Sequence, residues 1–110
     1  MALAISRGND GVVTAWLDDE LDAATAPRLA QLLSLVVLRG SRVVLDMSRV
    51  TFMDCAGLGE IMRAHHRAVE GGGWLRLAYV PEGPLLVLRL TNTAQLLTAH
   101  GLPEQRVDGD

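Results

Sequence analysis

Apolar positions along this chain change their period several times, and each change marks an element. From Val12 to Leu17 they alternate, with Val13, Ala15 and Leu17 on one face and Val12, Thr14 and Trp16 on the other. Period two predicts a strand, and apolar residues on both faces predict burial on both sides near its centre. Met1 to Ile5 predicts a short strand before it, with Gly8-Asn9-Asp10-Gly11 as the turn between them. Asp18, Asp19 and Glu20 follow, and for Asp18 and Asp19 a solvated turn is expected. The period then lengthens: Leu29, Leu32, Leu33, Val36 and Val37 recur as one helical stripe. Thr25 is its expected cap, Pro27 falls in the opening turn, and Gly40 ends it.

A second strand–helix unit follows. Val43 to Leu45 predicts a buried strand leading into a polar connection, and its helix-length separation from the preceding strand predicts a parallel βαβ arrangement. Thr51, Phe52 and Met53 lead to Asp54, which stands where a helix N-cap should stand. Leu58, Ile61, Met62, His65, Ala68 and Val69 form the next helical stripe, and Gly71 to Gly73 end it. Trp74 to Val80 alternates again, with Leu75, Leu77 and Tyr79 facing one way, Trp74, Arg76 and Ala78 the other, and Pro81 closing the strand. Pro84 to Leu90 predicts a third, short helix stopped by Thr91-Asn92-Thr93. Ala94 to Ala99 fits a helical turn or an edge strand, and Gly101 to Asp110 is short and polar.

Composition narrows the functional classes. A chain of 110 residues has room for one domain, 1–110, with a core able to fold without staples. The net charge of −3 argues against a nucleic-acid surface. All basic residues are arginine, so no lysine is present for Schiff-base chemistry. Cys55 is the single cysteine, which excludes an intrachain disulfide and a cysteine-based metal cluster. No signal pattern or membrane-length apolar run occurs, so a cytoplasmic location without membrane insertion is expected.

Strand, turn and helix start converge on Asp54, Cys55, Ala56 and Gly57. A helix start offers unpaired backbone N–H groups and the positive end of the macrodipole, which suits an anion or a thiolate. The acids Asp54 and Asp22 oppose a thiolate at Cys55, so the reading adopted for Cys55 is a serine-sized filler rather than a reactive thiol. His65 lies in the apolar stripe, where a packed core histidine is expected, with His66 at its edge. Ten residues of helix separate Cys55 from His65, about 15 Å at ~1.5 Å per residue, which rules out a nucleophile–base pair. Adjacent histidines cannot face one metal from the same helix side, so no metal site is expected. Gly57-Leu58-Gly59 lacks the third glycine and acidic residue of a dinucleotide fingerprint; its glycines are expected to admit another backbone at the helix start. No catalytic residue and no cofactor is assigned.

The segment Val43-Val44-Leu45-Asp46-Met47-Ser48-Arg49-Val50-Thr51-Phe52-Met53-Asp54-Cys55-Ala56-Gly57-Leu58-Gly59 resembles the signature of STAS domains, above all the bacterial anti-sigma factor antagonists. A second block, Glu20-Leu21-Asp22-Ala23-Ala24-Thr25-Ala26-Pro27-Arg28-Leu29, resembles the family's Gly-Glu-Leu-Asp segment and the helix after it. The resemblance covers roughly the first 90 residues. It implies an α/β fold, a mixed sheet of about four to five strands packed against helices, with the C-terminal helix short or missing. It also implies binding rather than catalysis: the partner would be an anti-sigma factor with a kinase-like ATP-binding fold, and engaging it would free a sigma factor for transcription. The resemblance puts the partner surface at Asp22 and at Asp54, Cys55, Ala56, Gly57, Leu58 and Gly59. In phosphorylation-controlled members the residue after the motif aspartate is the phosphoacceptor serine; here it is Cys55, followed by Ala56. A thiol is no substrate for serine-kinase chemistry, so the usual off-switch is not expected to transfer. Two other classes remain: a non-enzymatic STAS subunit of a phospholipid-type ABC transport complex, and a redox sensor or enzyme built on Cys55.

Overall fold

The computed structural model describes residues 1–97. Its elements run β1 (Leu3–Arg7), β2 (Val13–Leu21), α1 (Ala26–Val36), β3 (Arg42–Met53), α2 (Cys55–Glu70), β4 (Trp74–Ala78), α3 (Glu82–Leu90) and α4 (Ala94–Leu97). The strands form one mixed sheet in the order β1-β2-β3-β4. A hairpin joins β1 antiparallel to β2, while β2, β3 and β4 are parallel, connected by α1 and then α2. The expected βαβ unit is therefore present, and it is followed by a second one.

One face of the sheet supplies most of the core. Val13, Ala15, Leu17 and Leu21 of β2, Val43, Leu45, Met47, Val50 and Met53 of β3, and Leu75 and Leu77 of β4 pack into one buried cluster. Leu29 and Leu33 of α1, Leu58, Ile61, Ala64 and Ala68 of α2, Leu85 and Leu88 of α3 and Leu97 of α4 belong to the same cluster. Arg67 links the two helices: its Nε donates to the Val37 carbonyl at 2.7 Å and its Nη2 to the Leu33 carbonyl at 3.4 Å. A cation thus sits at the C-terminal end of α1, where the macrodipole is negative. No helix among the described residues is long and apolar enough to cross a membrane.

Several expectations need correcting. The sequence predicted that β3 would stop at Leu45, but it runs to Met53, and β2 runs to Leu21 instead of stopping at Leu17. Pairing with β2 shifts register between Trp16 and Asp18 and again between Asp19 and Glu20. At each shift β3 carries one extra residue, so its buried positions move from spacing two (Val43, Leu45, Met47) to spacing three (Val50, Met53). Each irregularity breaks the alternation that advertises a strand while the ladder continues. Asp18 and Asp19 accordingly lie in β2 and not in a turn; they hold the N-terminus, with Ala2 N–H donating to Asp18 at 2.8 Å and the Met1 ammonium 3.6 Å from Asp19.

Thr25 does not cap α1 with its side chain. Its hydroxyl donates to the Glu20 carbonyl at 2.7 Å and accepts from Asp22 N–H at 2.9 Å, while Asp22 Oδ1 accepts from Ala24 and Thr25 N–H, both at 3.0 Å. Val69 is exposed, and Ala64 takes the buried place beside Ile61 and His65. Tyr79 has φ 57°, so the chain turns there; β4 ends at Ala78 and Tyr79 leaves the face shared by Leu75 and Leu77. Thr91 to Thr93 does stop α3, and α4 resolves the start of the ambiguous segment as a helical turn up to Leu97. Residues 98–110, including the polar tail, lie outside the described residues.

His65 is buried at 7% exposure, and its Nδ1 has no hydrogen-bond partner among the described residues. Burial pushes its pKa below the ordinary 6.5; the charges of His66 and Arg76 add to this, and the Leu75 backbone pulls the other way. The folded protein therefore binds fewer protons here than the unfolded chain, and stability rises with pH until the unfolded-state value is passed. Denaturant unfolding should show stability falling as pH drops below about 6.5. His65→Leu should flatten that dependence, and an unchanged slope would assign it to other groups.

Candidate functional site

The C-terminal ends of β2 and β3 meet the start of α2, and three local interactions set the geometry. Asp54 is extended (φ −116°, ψ −171°), and its Oδ1 accepts from Ala56 N–H at 2.9 Å and Gly57 N–H at 3.2 Å. That is the expected N-cap, worth ~1 kcal/mol. The Asp54 carbonyl receives the Leu58 N–H at 3.0 Å, and its own N–H donates to the Leu21 carbonyl at 3.1 Å, which stitches the helix start to the end of β2. Gly57 lies against that strand end. A Cβ at Gly57 would run into the Leu21 carbonyl oxygen and come within 2.7 Å of Leu21 Cβ. The expectation of a close backbone approach thus holds at Gly57. At Gly59 it does not: a Cβ there would meet only the Arg63 guanidinium, at 3.6 Å.

This packing sorts the sequence-derived site residues. Cys55, the first helical residue, is exposed. Asp22, Asp54, Ala56 and Gly59 are half-buried beside it, whereas Gly57 and Leu58 are buried beneath. Asp22 is brought to the site because Leu21 is the residue that Asp54 and Gly57 touch. Both aspartates spend a carboxylate oxygen on backbone N–H groups, so the negative charge at this surface is fixed in place by the turns it forms. Gly57 and Leu58 set the height of the helix, and the accessible part of this corner is Cys55 with its half-buried neighbours.

Sequence reasoning missed Phe52. It is paired across the ladder with Glu20, both are exposed, and it lies two residues before Asp54. A large aromatic at 47% exposure is uncommon, and this is the chain's single phenylalanine. The signal was its place two residues ahead of the motif aspartate; the second irregularity in β3, at Thr51, turns it out of the core. Among the described residues no group of three His, Cys, Asp or Glu side chains is placed to hold a metal ion. The arrangement presents a thiol, an aromatic ring and fixed carboxylates on a rigid corner, which equips it to bind a partner's surface.

Comparison with curated proteins gives no match. Among solved structures the chain is similar to an anti-sigma factor antagonist from Mycobacterium paratuberculosis, at 23% identity and TM-score 0.70, covering 87% of this chain and 83% of that one. It is also similar to the anti-sigma factor antagonist SpoIIAA in its unphosphorylated form, at 17% identity and TM-score 0.69, covering 97% and 94%. The Bacillus cell fate determinant SpoIIAA in its phosphorylated form matches at 18% identity and TM-score 0.66, covering 97% of each chain. A sulfate transporter family protein from Wolinella succinogenes matches at 20% identity and TM-score 0.66, covering 83% and 75%. At these identities the likeness is one of fold. The family model for the STAS domain matches residues 4–102, nearly the whole chain, and with the mixed sheet, the two crossover helices and the capped start of α2 in place, the chain belongs to the STAS-domain family.

Proposed function

We propose that the chain is an anti-sigma factor antagonist, which binds a kinase-like anti-sigma factor in the cytoplasm and so releases a sigma factor. The observation that carries this reading is the exposed Cys55 at the first position of α2, where the family resemblance puts the phosphoacceptor serine. Asp54 is turned in beside it to cap the helix, and Asp22 is anchored next to it through Leu21. The likeness in fold to antagonists supports the same reading. The contact surface comprises Asp22, Asp54, Cys55, Ala56 and Gly59, with Phe52 as an added anchor, while Gly57 and Leu58 support it from below. No catalytic step is assigned to it.

Affinity purification from the native cell, followed by mass spectrometry, tests the proposal; a small ATP-binding anti-sigma factor is the expected partner. The likeness to a sulfate transporter family protein gives the second reading, a STAS subunit of a transport complex, some standing. Recovery of an ABC ATPase or a membrane transporter in the same experiment would favour it.

Regulation follows from the missing hydroxyl. Incubated with the partner kinase and ATP, the wild-type protein should gain no phosphate at position 55, and Cys55→Ser should gain it. A phosphoserine or phosphothreonine adds nearly two negative charges. Stoichiometric phosphate on wild type at Ser48 or Thr51 would place the switch on β3.

A further inference from the structure

The other end of the sheet carries a second surface that the proposed function does not use. Val13 and Arg42 begin β2 and β3 there, about 26 Å from Leu21 at ~3.3 Å per strand residue. A cleft of about 270 Å³ opens between β1, the β1–β2 turn and the C-terminal end of α1. Its lining includes Ile5, Leu35 and Leu38, which are 56%, 76% and 57% exposed. Single exposed leucines are ordinary, but here three large apolar side chains, from β1, α1 and the connection after α1, meet at one cleft. Among the described residues the charged side chains lining it are those of Arg7 and Arg42. Arg42 Nη2 donates to the Asp10 carbonyl, and Arg7 is exposed.

The cleft lies beside a strand edge. Among the described residues β1 pairs with β2 on one side and with no strand on the other, so it offers a row of main-chain donors and acceptors to an incoming strand. Ile5 and Arg7 are two residues apart and point to the same face, the one that also bears Ala15 and Val13 and packs against the helices.

We propose that this edge is a docking site for an extended peptide segment of a partner protein, which adds to the sheet beside β1. Strand addition draws affinity from main-chain hydrogen bonds and specificity from alternate side chains. The register on β1 states what those side chains must be. The residue beside Ile5 must be apolar, to cover Ile5, Leu35 and Leu38; the residue two positions away, beside Arg7, must be acidic. Cross-strand neighbours stand about 5 Å apart, within ion-pair reach for a glutamate facing an arginine. Charge decides the polarity of the segment, since an acid meets Arg7 and Arg42 and a lysine would be repelled by both. The exposure of the lining decides the class of occupant. Small-molecule sites enclose most of their ligand, whereas the cleft's leucines are more than half open to solvent and suit a peptide lying across them.

Backbone-amide NMR on the full chain tests this with two short capped peptides, Thr-Leu-Thr-Glu-Thr and the same sequence with lysine in place of glutamate. The glutamate peptide should shift the amides of Leu3–Arg7 and those around Leu35 and Leu38, and should bind about fivefold more tightly than the lysine peptide, the scale of one exposed ion pair. Arg7→Glu should invert that preference, a readout that loss of folding cannot mimic. Ile5→Thr, which keeps a β-branched residue in the strand, should weaken both peptides alike. No shifts, shifts centred on Asp54 to Gly59, or a preference unchanged in Arg7→Glu would overturn the proposal. Concentration-dependent dimerisation that shifts the same β1 amides without peptide would overturn it too, by making a second copy the occupant. None of these results bears on anti-sigma binding, which uses the opposite end.

Discussion

Cys55→Asp should fold like the wild type and lose the anti-sigma partner. The side chain at position 55 is exposed, so a carboxylate there displaces no core atom. It sits at the positive end of the α2 macrodipole, where negative charge is stabilising by ~0.3–1 kcal/mol. The carboxylate of Asp54, already committed to the Ala56 and Gly57 N–H groups, offsets part of that by repulsion. The net change in stability should therefore be small. Binding is a different matter. A charge introduced at the centre of a contact without a matching cation must be desolvated on docking, at a cost of roughly 2–5 kcal/mol, or about 30-fold to several thousandfold in Kd. Cys55→Ala removes the thiol and adds no charge, so it should keep both fold and partner. Thermal unfolding and titration calorimetry on the three proteins give the comparison. Tight binding by a folded Cys55→Asp would remove position 55 from the interface and take the proposed mechanism with it.

How far the sequence disclosed this site depends on whether each feature is local. The start of α2 is written in adjacent residues: a carboxylate at Asp54 followed by a helical apolar stripe is the chemistry of an N-cap, and the structure uses it that way. The βαβ connection was legible for a similar reason, since the distance from one apolar run to the next fits only a crossover. The second half of β3 was hidden because strand recognition rests on unbroken alternation, and two extra residues break it while β2 goes on pairing. At the start of α1 Thr25 reads as the cap, and Asp22 stands three residues before it. Neither caps it: the Thr25 hydroxyl is taken by the Glu20 carbonyl, a partner outside the helix, and the Asp22 carboxylate by Ala24 and Thr25 N–H in the turn before it.

Tertiary contacts explain the remaining differences. Gly57 and Gly59 look equivalent in the sequence, yet only Gly57 faces Leu21. Tyr79 continues the alternation of β4 on paper, and its positive φ takes it out of the strand. Phe52 lies on the side of β3 opposite its expected alternation with Val50, because the extra residue between them turns the ring outward. The cleft of Ile5, Leu35 and Leu38 joins residues thirty positions apart, and no local pattern announces it. The motif named the place of the candidate site, then, and contacts distant in sequence decided which of its residues reach the surface.

That distinction between the two glycines leads to the largest expected effect on stability. Gly57→Ala sets two tendencies against each other. Inside a helix alanine is favoured over glycine by about 1 kcal/mol, so an isolated α2 would gain. In the folded protein the new methyl group meets the Leu21 carbonyl oxygen and Leu21 Cβ, and neither is the far end of a flexible side chain. Either β2 retreats, stretching the Asp54 N–H bond to Leu21, or the first turn of α2 shifts and loosens the Asp54 cap. Overpacking costs about 1–3 kcal/mol, and a lost hydrogen bond and a weakened cap about 1 kcal/mol each. The clash should win, with a net destabilisation of about 1–3 kcal/mol. Gly59→Ala supplies the control. Its methyl group would touch only the Arg63 guanidinium at 3.6 Å, a group free to move, so the helix preference is unopposed and stability should rise by about 0.5–1 kcal/mol. Denaturant unfolding of both variants should thus give shifts of opposite sign from the same substitution two residues apart. If Gly57→Ala instead proves as stable as Gly59→Ala, the start of α2 does not rest on Leu21, and the coupling that carries Asp22 to the binding surface fails with it.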